Sequence, residues 1–306
     1  MIQIPSLIKF KYKFRLDFNV RDKNILSAVK LAGPMLISTW VQPLCTLITA
    51  RIASGIDGAN ASLEYANRLY LIVTGVFSFV VTNLIFPKLS KANVSNDAKE
   101  ARSLISTSVK AVLMIILPIM AGFMILSESV ISIIYNKLDE NAVSVVSGAL
   151  RFYSIGMAGL AANEILSKTF FSMQDSKTPM INAVASMIFN IVAAYMLFGV
   201  MQTNGLALAV ALGSIFNAIL NLICLIKKDG KIFKKTDLGD ILKFIIAALI
   251  MAAVVALIYK FMYAEQMSIF NQLLICIVCG GSGAVIYFVL LYILRVGMIK
   301  QLIKKG

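Results

Sequence analysis

Eight long apolar runs, separated by short polar connections, constrain the fold of this chain more than any other feature. They cover residues 24–50, 65–86, 106–135, 142–172, 179–200, 204–226, 239–263 and 269–294. A helix needs about 20 apolar residues to cross a bilayer, whereas a barrel strand needs about ten with strict alternation. The runs therefore predict an all-α integral membrane protein with about eight transmembrane helices. Composition agrees, because only 14% of the 306 residues are charged, against about 25% in soluble domains.

The cations are distributed unevenly between the two sides of such a protein. If every run crosses the membrane in turn, 24 of the 29 Lys and Arg residues fall on one side. The remaining five are Arg51, Arg68, Lys137, Arg151 and Lys260. The positive-inside rule then predicts that both termini are cytoplasmic. Contact with anionic lipid headgroups accounts for the net charge of +14, so membrane lipids are expected partners and nucleic acid is not.

Several classes of chemistry are excluded by residues that the chain lacks. It contains no histidine, which excludes His-dependent nucleophilic triads and His-ligated metal sites. No phosphate-binding G-x-x-x-x-G-K-[ST] loop is present. Cys276 and Cys279 form a C-x-x-C spacing, which we interpret as two small residues one turn apart on a membrane helix. The sequence thus predicts no enzyme activity, no cofactor and no metal.

Polar segments divide the chain into four parts. Residues 1–23 form a basic amphipathic segment expected at the cytoplasmic membrane surface. Residues 24–227 form a six-helix lobe, 228–238 a cytoplasmic linker, and 239–306 a two-helix pair with a basic tail. Within the spans, Pro34, Pro43 and Pro118 predict kinked or broken helices.

Charged residues inside the spans are candidates for function, because each costs roughly 2.5–3.5 kcal/mol at mid-bilayer. The guanidinium of Arg68 suits a phosphate group, but an arginine so near a span end also suits extension to the membrane surface. Both interpretations of Arg68 stay open at this point, whereas for Arg151 the surface interpretation is favoured. Glu164 needs either a partner on another span or a wet cavity. Asn163 and Asn190 are more typical of hydrogen bonds between helices than of ligand binding.

Two stretches resemble the MurJ/MviN lipid II flippases of the multidrug/oligosaccharidyl-lipid/polysaccharide (MOP) exporter superfamily. They are ASLEYANRLYLIVTGVFSFVVTNLIFPKLSKA at 61–92 and ALRFYSIGMAGLAANEILSKTFFSMQDSKTPMINAVASMIFNI at 149–191, and LISTWVQP at 36–43 agrees. The resemblance implies a protein of the bacterial cytoplasmic membrane. It would flip the undecaprenyl-diphosphate-linked peptidoglycan precursor, lipid II, by alternating access, either as a fragment or as half of a flippase.

The same resemblance implies an architecture and a site. Family members have two six-helix lobes around a cationic cavity, followed by two helices that form a groove for the lipid tail. This chain would hold the second lobe and the tail pair, and the N-terminal lobe would be supplied on another chain. Arg68 corresponds to a cavity arginine that contacts the diphosphate. Asn67, Glu164, Asn163 and Asn190 are the supporting candidates.

The resemblance also implies a departure from the family and leaves two alternatives. Some members bind Na⁺ in this lobe through two carboxylates and an asparagine, at positions that here carry Thr49, Asn190 and Ala194. Without the carboxylates, Na⁺ coupling is not expected. One alternative function is a flippase or exporter for another lipid-linked oligosaccharide or a drug. The other is an inactive membrane remnant or scaffold.

Overall fold

A computed structural model describes residues 23–94, 97–262 and 268–297, and these contain helices and turns but no strand. The helices are α1 (Lys23–Ala53), α2 (Ala59–Val94), α3 (Ala98–Ile134), α4 (Glu140–Ile155), α5 (Met157–Ser172), α6 (Lys177–Asp229), α7 (Lys235–Met262) and α8 (Ile269–Ile293). The basic amphipathic segment predicted at 1–23 lies outside the described residues, apart from Lys23. Much of the predicted basic tail also lies outside them.

α6 is a helical hairpin with two antiparallel arms. Its 53 residues are interrupted at Gln202, whose φ of 50° and ψ of −127° are not helical. Residues far apart in sequence meet across the arms: the rings of Phe189 and Phe216 stack at 4.6 Å, and Gly205 lies so close to Leu197 that a β-carbon would not fit there. We call the arms α6a (177–201) and α6b (203–229). The interruption falls between the predicted runs 179–200 and 204–226.

Two other bends exceed 40° in the described residues, and neither lies at a proline expected to cause one. α1 and α3 are unbroken helices through Pro34, Pro43 and Pro118. α2 bends by 44° between its parts Ala59–Val80 and Asn83–Ala92, one turn before Pro87. The ring of a proline crowds the carbonyl four residues earlier and leaves it without its helical hydrogen bond.

The third bend divides the predicted run 142–172 into α4 and α5, which meet at 45°. Gly156 lies at the bend, and a β-carbon there would come within 2.6 Å of the Ala211 backbone on α6b. The chain can therefore bend here while it packs directly against α6b. By length and composition, the described residues contain five helices able to cross a membrane, or up to seven if each bent pair is one span.

Apolar side chains form two cores. The larger core lies mainly among α2 to α6 and includes the fully buried Tyr70, Leu150, Met157, Phe170 and Leu206. The second core joins α3 to α7 and α8, through side chains that include Met114, Phe244, Met251, Cys279 and Tyr287. The hydroxyl of Tyr287 donates to the Met114 carbonyl at 2.9 Å.

α1 differs from the other helices of the larger core in being held on one side. It packs along α6 and makes little contact with α2, its neighbour in sequence. Most of its large apolar side chains, such as Leu36, Trp40 and Leu47, are exposed. A cleft therefore remains between α1 and α2.

Buried charges meet at one end of the bundle. Lys110 of α3 contacts Asp237 at 2.5 Å and Asp240 at 3.4 Å, both on the first turns of α7. At the same end, Lys228 of α6b contacts Asp175 in the turn after α5 at 2.6 Å. These ion pairs join different helices, and they fix the ends of α3, α6b and α7.

Asp175 is also bonded within its own turn, because it accepts hydrogen bonds from the backbone N–H of Thr178 at 3.1 Å and from the Thr178 hydroxyl at 2.8 Å. Partial burial opposes ionisation of the Asp175 carboxyl. The hydrogen bonds from Lys228 and Thr178 outweigh that effect and hold its pKa below the usual range. The carboxylate is therefore ionised at neutral pH.

Candidate functional site

Arg68 and Glu64 form an ion pair on one exposed face of α2. An Nη atom of Arg68 donates to Oε1 of Glu64 at 2.5 Å, one helical turn earlier. Both side chains are largely exposed, at 64% and 60%. The guanidinium is thus neutralised within its own helix and is still open to a ligand.

A cavity of about 290 Å³ lies beside this pair, between α1 and α2, and we call it the Arg68 cavity. It is lined by Gln42, Cys45, Thr46, Thr49, Ala50, Asn60, Leu63, Glu64, Asn67, Arg68, Tyr153 and Val210. The Oδ1 atom of Asn67 is buried there without a hydrogen-bond partner in the described residues. An unpaired buried acceptor is costly, and this one belongs to a residue of the cavity wall.

A second cavity, of about 330 Å³, adjoins the first along α1, and we call it the Glu164 cavity. Glu164, Asn163 and Asn190 all line it, as do Lys168 and Asn217. The two cavities share the lining residues Gln42, Cys45 and Val210. All five sequence-predicted site residues therefore lie on one continuous concave surface formed by α1, α2, α5 and α6.

Glu164 lines a cavity, and its charged partner comes from its own helix. Nζ of Lys168 lies 3.9 Å from Oε1 of Glu164, and both side chains are about half exposed. Like the pair in the Arg68 cavity, this pair spans one turn of a single helix. The pairing could have been foreseen, since glutamate and a cation four residues apart share a helix face.

A network of four asparagines underlies the Glu164 cavity. Asn182 of α6a donates through Nδ2 to Oδ1 of Asn221 on α6b at 2.9 Å. Asn221 in turn donates through Nδ2 to Oδ1 of Asn163 at 2.6 Å and of Asn217 at 3.3 Å. Asn163 thus serves both as a contact between helices and as a cavity residue. Sequence analysis missed the other three, although the spacing of Asn217 and Asn221 places them on one helix face.

The three positions that correspond to the family's Na⁺ ligands carry uncharged side chains here. Thr49 lines the Arg68 cavity and Asn190 lines the Glu164 cavity, and each is almost fully buried. They supply neutral oxygens, and Ala194 supplies none. The described residues contain no cluster of three or more Asp, Glu, Cys or His able to hold a metal ion. These positions therefore lack the anionic ligands of the family site.

Arg151 lies outside the concave surface. Its Nε atom donates to Oγ of Ser127 at 2.7 Å, and an Nη atom lies 3.7 Å from Oε2 of Glu128, both on α3. Nearby, Tyr259 of α7 shares a hydrogen bond with Ser129 at 3.2 Å. Although Arg151 is partly exposed, these contacts tie it to α3.

The interface of α3 with α7 and α8 contains an apolar groove of about 290 Å³. Its walls include Met114, Pro118, Met251, Tyr287 and Phe288, and almost all of its surface is apolar. A groove of this kind suits a hydrocarbon chain, because it offers contact without polar groups that need partners.

A bundle of membrane-length helices with a polar concave face resembles transporters of the MOP superfamily in its fold. A multidrug-resistance transporter of the MATE family aligns with a TM-score of 0.56 at 16% identity, covering 87% of this chain and 64% of that one. A structure of lipid II flippase MurJ in an inward closed conformation aligns with a TM-score of 0.74 at 24% identity. That alignment covers 97% of this chain and 60% of the other.

The chain belongs to the lipid II flippase MurJ family, whose sequence profile matches residues 1–277. It is 30% identical over 232 residues to the probable lipid II flippase of Rhizobium meliloti, covering 75% of this chain and 43% of that protein. Against the Rickettsia prowazekii protein of the same name it is 27% identical over 290 residues, covering 92% and 57%. The chain thus spans about half the length of the curated relatives that it matches.

Proposed function

We propose that this chain is the second lobe and the lipid-tail helices of a lipid II flippase. It acts with a first lobe to move the undecaprenyl-diphosphate-linked precursor across the cytoplasmic membrane by alternating access. The observation that carries the proposal is the continuous concave surface that holds Arg68 beside two adjoining cavities. The work done is transport, without covalent chemistry on the substrate.

The proposed arrangement has eight spans. Seven spans are counted if each bent pair of helices is one span. The hairpin at Gln202 makes α6 two spans instead of one, which brings the number to eight. Residues 24–227 then form the six-helix lobe, 228–238 the linker and 239–306 the tail pair, in keeping with the separate core that α7 and α8 form with α3. The distribution of Lys and Arg supports cytoplasmic termini.

In this proposal Arg68 binds the diphosphate of the lipid. A guanidinium can donate two parallel hydrogen bonds to phosphate oxygens. Glu64 holds Arg68 in an exposed position. The more highly charged diphosphate replaces Glu64 as the partner of Arg68 when the substrate binds. Asn67, one residue earlier, lines the same cavity.

The exposed polar surface supports a first lobe as the partner. Charged groups in a span are stable only next to water, protein or one another, and four of them lie on this face: Glu64, Arg68, Glu164 and Lys168. The first lobe, facing this surface, would enclose them in a hydrated cavity. The apolar groove at α3, α7 and α8 would take the lipid tail.

The experiment is rescue of cells depleted of their own flippase. The chain is expressed alone and together with a separately encoded first lobe from a relative such as the R. meliloti protein. We expect growth only when both are present. Absence of rescue with both, at normal membrane levels of each, would contradict the proposal.

A flipping assay in vesicles identifies the substrate. Unlabelled lipid II should compete with labelled lipid II, while a lipid-linked oligosaccharide of another class should not. Competition by the second lipid alone would instead support an exporter of that class.

A further inference from the structure

The orientation of the buried Asn221 side chain is fixed by Asn182. Asn221 has no exposed surface, and its Oδ1 atom accepts a hydrogen bond from Nδ2 of Asn182. Its own Nδ2 must then point to the opposite side, where it meets the oxygens of Asn163 and Asn217. The network therefore has a direction, from α6a through α6b to the cavity wall.

That direction determines what Asn163 and Asn217 can offer to a ligand. An amide side chain has an oxygen that accepts and an NH₂ group with two donors. Both residues use their oxygens on Asn221, and both line the Glu164 cavity. In the described part of the chain, neither amide nitrogen is hydrogen-bonded, so two NH₂ groups are available at this wall.

The remaining polar groups make the two cavities chemically different. The Glu164 cavity adds a carboxylate at Glu164, an ammonium at Lys168 and the hydroxyl of Ser167 to the two amides. Such a mixture of donors and acceptors suits hydroxyl and amide groups. The Arg68 cavity instead has one guanidinium that suits an anion.

The cavities also follow one another along α1, a helix long enough to cross a membrane. On α1, the lining of the Glu164 cavity extends from Ser38 to Cys45 and that of the Arg68 cavity from Gln42 to Ala50. Their centres are offset by about five residues, or about 7 Å at 1.5 Å per residue. A substrate with a phosphate joined to a polar head could occupy both at once.

We infer that the Glu164 cavity binds part of the saccharide and peptide portion of the substrate, through the amide donors of Asn163 and Asn217, while the diphosphate lies at Arg68. Asn221 is a positioning residue, because it sets the orientation of both amides without lining the cavity. The inference rests on the proposed function and goes further by dividing the substrate between the two cavities.

The test compares two lipids that differ only in this portion. The purified chain is placed in lipid nanodiscs, and native mass spectrometry measures the affinity of lipid II and of undecaprenyl diphosphate. Asn163→Ala and Asn217→Ala should each weaken lipid II binding about 5-fold, the effect of one lost hydrogen bond. Binding of undecaprenyl diphosphate should stay within 2-fold of that of the unmodified chain.

Three further variants complete the design. Asn221→Leu should weaken lipid II selectively, although it removes no group that touches the ligand. Arg68→Ala should weaken both lipids. The matched control is Asn204→Ala, on the same helical arm but outside both cavities, and it should change neither affinity.

Each outcome separates the two proposals. If the Asn163 and Asn217 variants lose both lipids equally, or neither, the division of the substrate is wrong while the proposed function stands. If the unmodified chain binds neither lipid even when the first lobe is present in the nanodisc, both proposals are wrong. Binding of undecaprenyl diphosphate shows that a variant is folded. If Asn163→Ala does not fold, the test rests on Asn217→Ala, because that variant removes the longer of the two hydrogen bonds to Asn221.

Discussion

The ion pairs of the concave surface and those at the charged end of the bundle use the same residue types but join different things. Arg68–Glu64 and Lys168–Glu164 each lie within one helix and are half exposed or more. Lys110 with Asp237 and Asp240 is mostly buried and joins α3 to α7. The first kind adds little to stability and can be exchanged for a ligand. The second kind fixes two helices, because breaking it leaves a buried charge.

The largest expected effect is loss of function at the concave surface without loss of fold. Arg68→Ala should weaken the affinity for lipid II at least about 100-fold and abolish rescue. It removes two charge-assisted hydrogen bonds, and each contributes roughly 1.5–3 kcal/mol. Arg68→Lys should restore part of the binding, because it keeps the charge but not the paired donors. Binding and thermal unfolding are measured on the same preparations. If Arg68→Ala unfolds at a clearly lower temperature than the unmodified chain, the Arg68–Glu64 pair stabilises the fold. The contrast with the Lys110 ion pairs would then be wrong.

The opposite pattern is expected at the charged end. Asp237→Ala should destabilise the protein by about 3 kcal/mol, measured by reversible unfolding in mixed detergent. It leaves Lys110 short of its nearest partner and removes the acceptor of the Ser106 hydroxyl. Replacing all three charges, as in Lys110→Met with Asp237→Leu and Asp240→Leu, should recover much of the loss. Equal stability of Asp237→Ala and the unmodified chain would show that the pair is dispensable.

A smaller effect is expected where α4 and α5 bend against α6b. Gly156→Ala places a methyl group within 2.6 Å of the Ala211 backbone, and such overpacking costs about 1–3 kcal/mol. Gly75→Ala is the matched control, because nothing lies near its β-carbon position on α2. Unfolding measurements should show a loss only for Gly156→Ala. A similar change in both would mean that α6b moves aside easily.

The smallest effect is expected at the Asp175–Lys228 ion pair, which joins the turn after α5 to α6b and is partly exposed. Because its folded pKa is depressed, its contribution is full above the unfolded value near pH 4 and is lost as pH falls through the lower folded value. Asp175→Asn should therefore cost no more than about 1 kcal/mol at pH 7. The difference from the unmodified chain should shrink below pH 4, in unfolding series across pH. A difference that persists unchanged at low pH would contradict the assigned cause.

Much of the helical architecture could be predicted from apolar run length, but the bends could not. The run 142–172 is continuous in sequence, and only the proximity of Ala211 explains why Gly156 breaks it. Pro34, Pro43 and Pro118 were expected to disturb their helices and lie in unbroken ones. Pro87 lies one turn beyond a bend, although the predicted run ends at residue 86.

The candidate site was predictable where its chemistry is local. Arg68, Asn67 and Glu164 stand out because charges and amides are rare in spans, and all line the concave surface. The amide network was not predictable, because Asn163, Asn182 and Asn221 are brought together by the packing of α5 against the α6 hairpin. Their roles in substrate binding remain predictions.

The pairing of Arg68 with Glu64 has a consequence for the empty state of the proposed transporter. A bare guanidinium in a low-dielectric layer would bind stray anions or resist any change that removes water around it. With Glu64 one turn away, the unloaded surface is electrically neutral, and a diphosphate enters by exchange with a carboxylate. The Arg68–Glu64 pair then carries no net charge when the surface is empty, so this pair adds nothing to the charge that a conformational change would move through the membrane field.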